Sequence, residues 1–399
     1  MKKQSLYIII GIVIIFALGI LVGKIDFERP VKQLATVPVQ SAVETAPVAQ
    51  VAPVAEPEAV EPEAVQPVQA PPVTKTVEVQ KGICYIAWTE KGYSNVNSAK
   101  SMEQLSGLGV NWVSLSPLWF QNAYDSTDIY PLKQKTASDE SLIFAIEKFH
   151  SLNIKVMLKP HLDVIDVDGG RWRGDISFPN QADWQAWFEN YTEFILHYAR
   201  LAQQRGVQMF CVGTELSNAS VNQPQLWREL IKQVREVYKG CLTYAANWHE
   251  EFDYIEFWDQ LDYAAIDPYF PLVSSDKPTK EQLVEVWKGW FQMVENWQKQ
   301  IDKPVIFAEA GYKSAVGATD EPWKHSPPGP VDLQLQADCY QALLETFYEQ
   351  PWFYGVYWWY WGVNPKMGGE LHRGFTPQNK PAQEVIRQWY SKPVGEKQY

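Results

Sequence analysis

Sulfur and imidazole are scarce in this sequence. Its four cysteines (84, 211, 241 and 339) never fall at C-x-x-C spacing, and its six histidines show no H-E-x-x-H and no cluster with carboxylates at ligand spacing. The patterns that announce a zinc or other metal centre are therefore missing, and no cofactor is expected. Three of the cysteines lie in or beside apolar runs, where a small buried hydrophobe is the ordinary reading; a Cys211–Cys241 disulfide is the other option. No G-x-S-x-G elbow and no phosphate-binding P-loop occur. Basic residues are outnumbered 35 to 47, giving a net charge of −12, which argues against nucleic acid and against lying flat on an anionic membrane. Aromatic rings are missing from one long stretch: all eighteen tryptophans lie beyond residue 80.

The ends explain that asymmetry. Two lysines precede an uncharged run from Leu6 to Val22, which as a helix spans roughly 26 Å, enough for a hydrocarbon core. No A-x-A cleavage site follows, so residues 1–24 read as a retained signal anchor, with secretion after cleavage as the alternative. The positive-inside rule then puts the rest of the chain outside the cytoplasm, as a single-pass protein of the cell membrane. Residues 25–76 are rich in Val, Ala, Pro, Glu and Gln, a composition that buries no core and reads as a disordered, extended spacer. Residues 77–399 carry nearly all of the negative charge and read as one monomeric folded domain, because six basic and seven acidic residues precede Val77.

Within that domain eight apolar runs recur: 82–88, 111–120, 155–162, 208–216, 242–248, 263–270, 304–312 and 354–362. Segments of helical periodicity separate them, at 137–152, 183–206, 225–238, 279–301, 332–349 and 380–390. Alternation of this kind predicts a (β/α)₈ TIM barrel. The competing doubly wound sheet needs a Gly-rich phosphate turn after its first strand, and AWTEKGYS offers none.

Barrel active sites lie at the C-terminal ends of the strands. Those ends carry Trp88, Trp119, Lys159 with His161, Glu215, Asn247 with Trp248, Asp267 with Tyr269, Glu309, and the run from Trp359 to Trp361. Taken singly, any of these is more often structural than functional. Together, rings that stack on pyranose faces and groups that bond hydroxyls make the mixture a sugar cleft needs. Glu215 and Glu309, on strands four and seven, would converge across the barrel mouth. Two carboxylates in such a place are the minimum for breaking a glycosidic bond. A Schiff-base role for Lys159 fits its aromatic surroundings less well than a bond to a sugar hydroxyl.

Four motifs together resemble glycoside hydrolase family 113: KPHLDVIDVDGGRWRGDI after strand three, GTEL at strand four, AEAGY at strand seven and the closing FTPQNKPAQEVI. The resemblance spans residues 80 to 391 and implies a retaining β-mannanase-type enzyme on a (β/α)₈ barrel, acting on β-1,4-mannan or a related β-glycan. It implies Glu215 as acid/base, Glu309 as nucleophile, Tyr269 as the hydroxyl holding the nucleophile and Trp361 as the floor of a sugar subsite. Lys159, His161, Trp172 and Arg173 match the strand-three motif and would line the cleft. In one respect the chain departs from the wider clan: Thr214 stands where most members have Asn before the acid/base, which bears on sugar preference. The alternatives are a β-glycosidase acting on another envelope or exported glycan, and a non-catalytic glycan-binding barrel.

Overall fold

The computed structural model describes residues 76–166, 170–326, 328–393 and 397–398. The signal anchor and nearly all of the spacer lie outside them. Among the described residues no helix is long and apolar enough to cross a membrane.

Eight parallel strands close into a barrel. They are β1 (Gln80–Ile86), β2 (Trp112–Leu115), β3 (Lys155–Leu158), β4 (Met209–Thr214), β5 (Cys241–Asn247), β6 (Ala264–Asp267), β7 (Val305–Ala310) and β8 (Phe353–Gly362). Each pairs with its neighbours in sequence, and β8 closes on β1. Their side chains are buried on both faces, which is why the runs read as continuous apolar stretches rather than alternating ones. Cys84, Met157, Cys211, Ala265, Ile306 and Tyr357 fill the barrel interior. All four cysteines are free, Cys211 and Cys241 included.

Around the barrel lie α1 (Val96–Ser106), α2 (Asp139–Ser151), α3 (Gln181–Gln204), α4 (Pro224–Val237), α5 (Lys280–Ile301), α6 (Leu333–Phe347) and α7 (Pro381–Tyr390). The longest, α3, starts where the Asn180 side chain accepts the Asp183 N–H at 3.0 Å, and it turns Trp184, Trp187, Tyr191, Phe194 and Tyr198 inward. Two departures from strict alternation have physical causes. The apolar pattern gives no sign of α1, because its buried face includes Ser98 and Ser101. Between β5 and β6 no α-helix is found among the described residues; a 3₁₀ turn, Trp258–Gln260, packs Trp258 against the core there.

Strands β2 and β3 are cut short by Pro117 and Pro160, which lack the N–H a ladder needs. Beyond them the chain resumes as a second parallel ladder, Leu118–Gln121 beside His161–Val164, standing above the barrel rim. This extension places His161 over the mouth.

Candidate active site

Side chains along a regular strand alternate, so Trp359 and Trp361 would share a face. The register shows otherwise. Trp358 pairs with Ile83 but Trp361 pairs with Tyr85, so β8 carries one extra residue there. The same slip occurs in β4 between Cys211 and Thr214, and in β7 between Phe307 and Ala310. Bulges re-aim the side chains beside them. Here they fall at Glu215, at Glu309 and at the tryptophan run, the three places where the barrel top must present a group to its mouth.

Glu215 follows β4 with φ +53°, its N–H donating to Ala245 O at 2.8 Å. A left-handed turn at a non-glycine residue is uncommon and is held here by that backbone bond. Two residues earlier, a Cβ on Gly213 would lie 2.7 Å from both Trp227 and Tyr244, so only glycine lets these rings close beneath the turn. The Glu215 carboxylate accepts from Asn247 Nδ2 at 2.8 Å. Burial lifts its pKa to about 7, with the Glu309 and Glu251 charges adding to the rise while Arg173 and the Asn247 bond oppose it.

Glu309 has different company. Lys159, fully buried, forms an ion pair with its Oε1 and also donates to Ala308 O at 3.3 Å. Tyr269 Oη donates to Oε2 at 3.3 Å. Burial would lower the Lys159 ammonium, but the charges of Glu309 and Asp267 outweigh it and hold the group above its ordinary range. Burial, Glu309 and Asp267 lift the Tyr269 phenol well above its own range, keeping it a donor. His161 Nε2 lies 3.4 Å from Oε1. Arg173 can only donate, so its 3.3 Å contact makes His161 Nδ1 an acceptor and leaves the proton on Nε2, facing Glu309. Burial, with Lys159 and Arg173 nearby, pushes the imidazole pKa well below its usual value, so the ring is neutral.

One cleft of about 1170 Å³ holds both glutamates. His161, Trp172, Arg173, Asn247, Trp248 and Tyr269 line it as well. Other residues expected at the site lie elsewhere. Trp361 is 1% exposed, turned outward by the bulge, and donates its indole N–H to Ser101 Oγ at 2.9 Å. Trp359 takes the place on the cleft wall, stacked 6.2 Å from the His161 ring; the Trp359–Tyr360 peptide is cis. Lys159 lies behind Glu309 and so meets a carboxylate, not a sugar. Asp267 is buried below Glu309, and neither of its side-chain oxygens accepts a hydrogen bond. Burial and the Glu309 charge hold its pKa well above the ordinary range. Trp119 donates to Tyr198 Oη at 3.0 Å and lines a separate cavity of about 410 Å³. Trp88, 51% exposed, stands edge-on to Trp359 at 6.3 Å.

The sequence reading missed Trp323 and Phe375, both on the cleft wall. Trp323 sits in the loop TDEPWKHSPPGP, where a large ring among prolines and charges is the available signal. It packs against Trp248, the two rings tilted by 32° with centroids 5.2 Å apart. Its turn is fixed by Lys313, fully buried, whose ammonium donates to Pro322 O at 3.2 Å and to Lys324 O and lies 4.7 Å over the Phe375 ring. No group of side chains able to hold a metal ion is found among the described residues.

The profile of Glycoside Hydrolase Family 113 matches residues 84–380. Among solved structures, a GH113 β-1,4-mannanase determined as a complex is 29% identical with a TM-score of 0.71, covering 79% of this chain and 100% of that chain. A GH113 β-mannanase from Alicyclobacillus acidocaldarius in complex with ManMIm is 28% identical with a TM-score of 0.70, covering 79% and 98%. A β-glucuronidase from Ruminococcus gnavus in complex with D-glucuronic acid is 10% identical, TM-score 0.54, covering 79% and 50%, and shares the fold alone. No curated protein matches the chain.

Proposed function

This chain belongs to glycoside hydrolase family 113, and from that premise we propose that it cleaves β-1,4-mannan or a closely related β-glycan with retention, using Glu215 as acid/base and Glu309 as nucleophile. The observation that carries the assignment is the contrast between two carboxylates in one cleft. Glu215 has one amide donor and a raised pKa, while Glu309 is gripped by an ammonium and a phenol. Paired groups whose surroundings differ in this way mark the acid and its partner.

In the first step the Glu215 proton passes to the glycosidic oxygen as a Glu309 oxygen attacks the anomeric carbon, releasing the leaving sugar and forming a glycosyl ester. Tyr269 and Lys159 hold Glu309 for in-line approach. Forming the ester removes the Glu309 charge, one of the causes that raise Glu215, so the Glu215 pKa falls. Glu215 then takes a proton from water, which attacks the ester and frees a sugar of the original configuration. Thr214 is buried with its hydroxyl toward Cys211 and is not on the cleft wall, so sugar preference rests on other residues.

Assay of the protein on soluble β-mannan, glucomannan, xylan and mixed-linkage β-glucan tests the substrate. We expect kcat/KM on β-mannan to exceed that on xylan and β-glucan by at least about tenfold, a difference of about 1.4 kcal/mol in transition-state binding. A preference for xylan or β-glucan would overturn the mannan assignment.

The tryptophan run supplies a second expected result. Trp359→Ala should weaken transition-state binding by on the order of 1–3 kcal/mol, from loss of a large apolar contact to the sugar. Trp361→Ala should instead lower the melting temperature, since emptying a tryptophan site in a core costs about 3–5 kcal/mol. Melting temperature and kcat/KM on both variants separate the roles; a kcat/KM loss confined to the Trp361 variant would reverse them.

A further inference from the structure

Behind Glu215 lies a third carboxylate. Glu251, in the turn after β5, is fully buried, and both of its oxygens are occupied. Oε1 accepts from the Tyr244 hydroxyl and from Ser220 Oγ at 2.7 Å; Oε2 accepts from Ser217 Oγ at 3.1 Å and from the Asn247 backbone N–H at 2.6 Å. Oε2 therefore has a donor that cannot reverse its role, and Oε1 has one already engaged as an acceptor. An N–H only donates, and the Tyr244 oxygen already accepts the Leu216 N–H at 2.9 Å, which leaves its hydrogen for Glu251. Such a set suits an ionised carboxylate.

The donors belong to the two segments that converge on Glu215. Leu216 and the short helix Ser217–Asn222 follow it directly. Asn247 is the residue whose side chain donates to it. One buried carboxylate thus joins the turn that presents Glu215 to the amide that orients it.

We propose that Glu251 is the positioning residue of Glu215: its four bonds set the direction of the Glu215 carboxyl, and its charge helps keep that carboxyl protonated for proton transfer. The inference rests on Glu215 being the acid/base. The charged and titratable groups facing Glu215 are Arg173, Glu309, Asp267, Tyr269 and Glu251; of these only Arg173 is cationic. Burial lifts the pKa of Glu251 itself, and its four hydrogen bonds oppose that rise.

Glu251→Gln in the full-length protein keeps the shape and removes the charge. On polymeric mannan kcat/KM should fall roughly tenfold or more, as a misdirected catalytic group implies. The alkaline limb of its pH profile should move to lower pH by about half a unit, since a negative charge near Glu215 is gone. The glycosylation rate on an aryl mannoside with a good leaving group should stay within about twofold of the parent, because that step needs little protonation. An unmoved alkaline limb with kcat/KM within about twofold of the parent overturns the proposal. If the Gln variant does not fold, Tyr244→Phe and Ser220→Ala each delete one bond to Glu251 and should reduce activity more on poor leaving groups than on good ones. Equal loss on both, or none, overturns the proposal. Glu215→Ala measured alongside separates the two readings. If that variant shows no leaving-group dependence, the acid/base assignment itself fails. If it does while the Glu251 set does not, only the positioning role fails.

Discussion

Replacing Glu309 with alanine is expected to reduce kcat on mannan by about 10⁴–10⁶-fold while leaving the protein folded. The magnitude follows from the loss of a covalent route together with the group that the rest of the site is built to hold. Folding should survive because Glu309 sits at the solvent-facing end of the barrel interior, and Lys159, deprived of its first partner, retains Asp267 nearby. The space left by the carboxylate opens onto the cleft, so a small anionic nucleophile can enter it. Added azide should therefore restore turnover and yield a glycosyl azide of inverted configuration, since it attacks from the Glu309 side in a single displacement. Turnover near the parent rate without azide would remove Glu309 from the reaction.

Glu215→Ala is expected to divide substrates by leaving group. On mannan, whose leaving alkoxide must be protonated, kcat/KM should drop by about 10²–10⁴-fold. On an aryl mannoside with an acidic phenol the ester should still form quickly, then accumulate, because no base remains to activate water. A burst of phenol followed by a slow steady state is the signature. The parent enzyme carries the same logic in its pH dependence. Glu215 must be protonated in the free enzyme, and its pKa is raised to about 7. The acid is therefore present below that pH, and kcat/KM on mannan should fall as pH rises through about 7. In the Glu215 variant the alkaline limb should be absent with the aryl substrate. Equal losses on every leaving group would assign the proton transfer to another residue.

The barrel was legible because buried parallel strands write themselves as short apolar runs, and all eight coincide with barrel strands. Helices with wide apolar faces, α3 above all, were equally plain. Helix α1 was not, because Ser98 and Ser101 fill part of its buried face and carry no hydropathic signal. Placing Glu215, Glu309, His161, Asn247, Trp248 and Tyr269 at strand ends located the cleft they now line. What strand-end position could not supply was depth. Lys159 and Asp267 look like rim residues in the sequence, yet both point into the barrel and act on Glu309 from below. Nor could it supply the register of β8: one extra residue exchanges Trp361 for Trp359 at the cleft wall, and nothing in YGVYWWYWG marks where that residue falls. Trp323 and Glu251 come from loops without a periodic pattern, and their roles depend on long-range contacts, with Trp248 and with Ser217 and Ser220.

The central claim is that a covalent bond forms between the sugar and Glu309. A 2-deoxy-2-fluoro-β-mannosyl fluoride slows both steps by destabilising the oxocarbenium-like transition states, while its good leaving group lets the first proceed. Incubation followed by proteolysis and peptide mass spectrometry should find the fluorosugar on the carboxylate of Glu309, and the label should disappear when a competing mannoside accepts the sugar. A label on any other residue, or none while the compound inactivates no enzyme and the first product from mannan is the inverted anomer, would contradict the account.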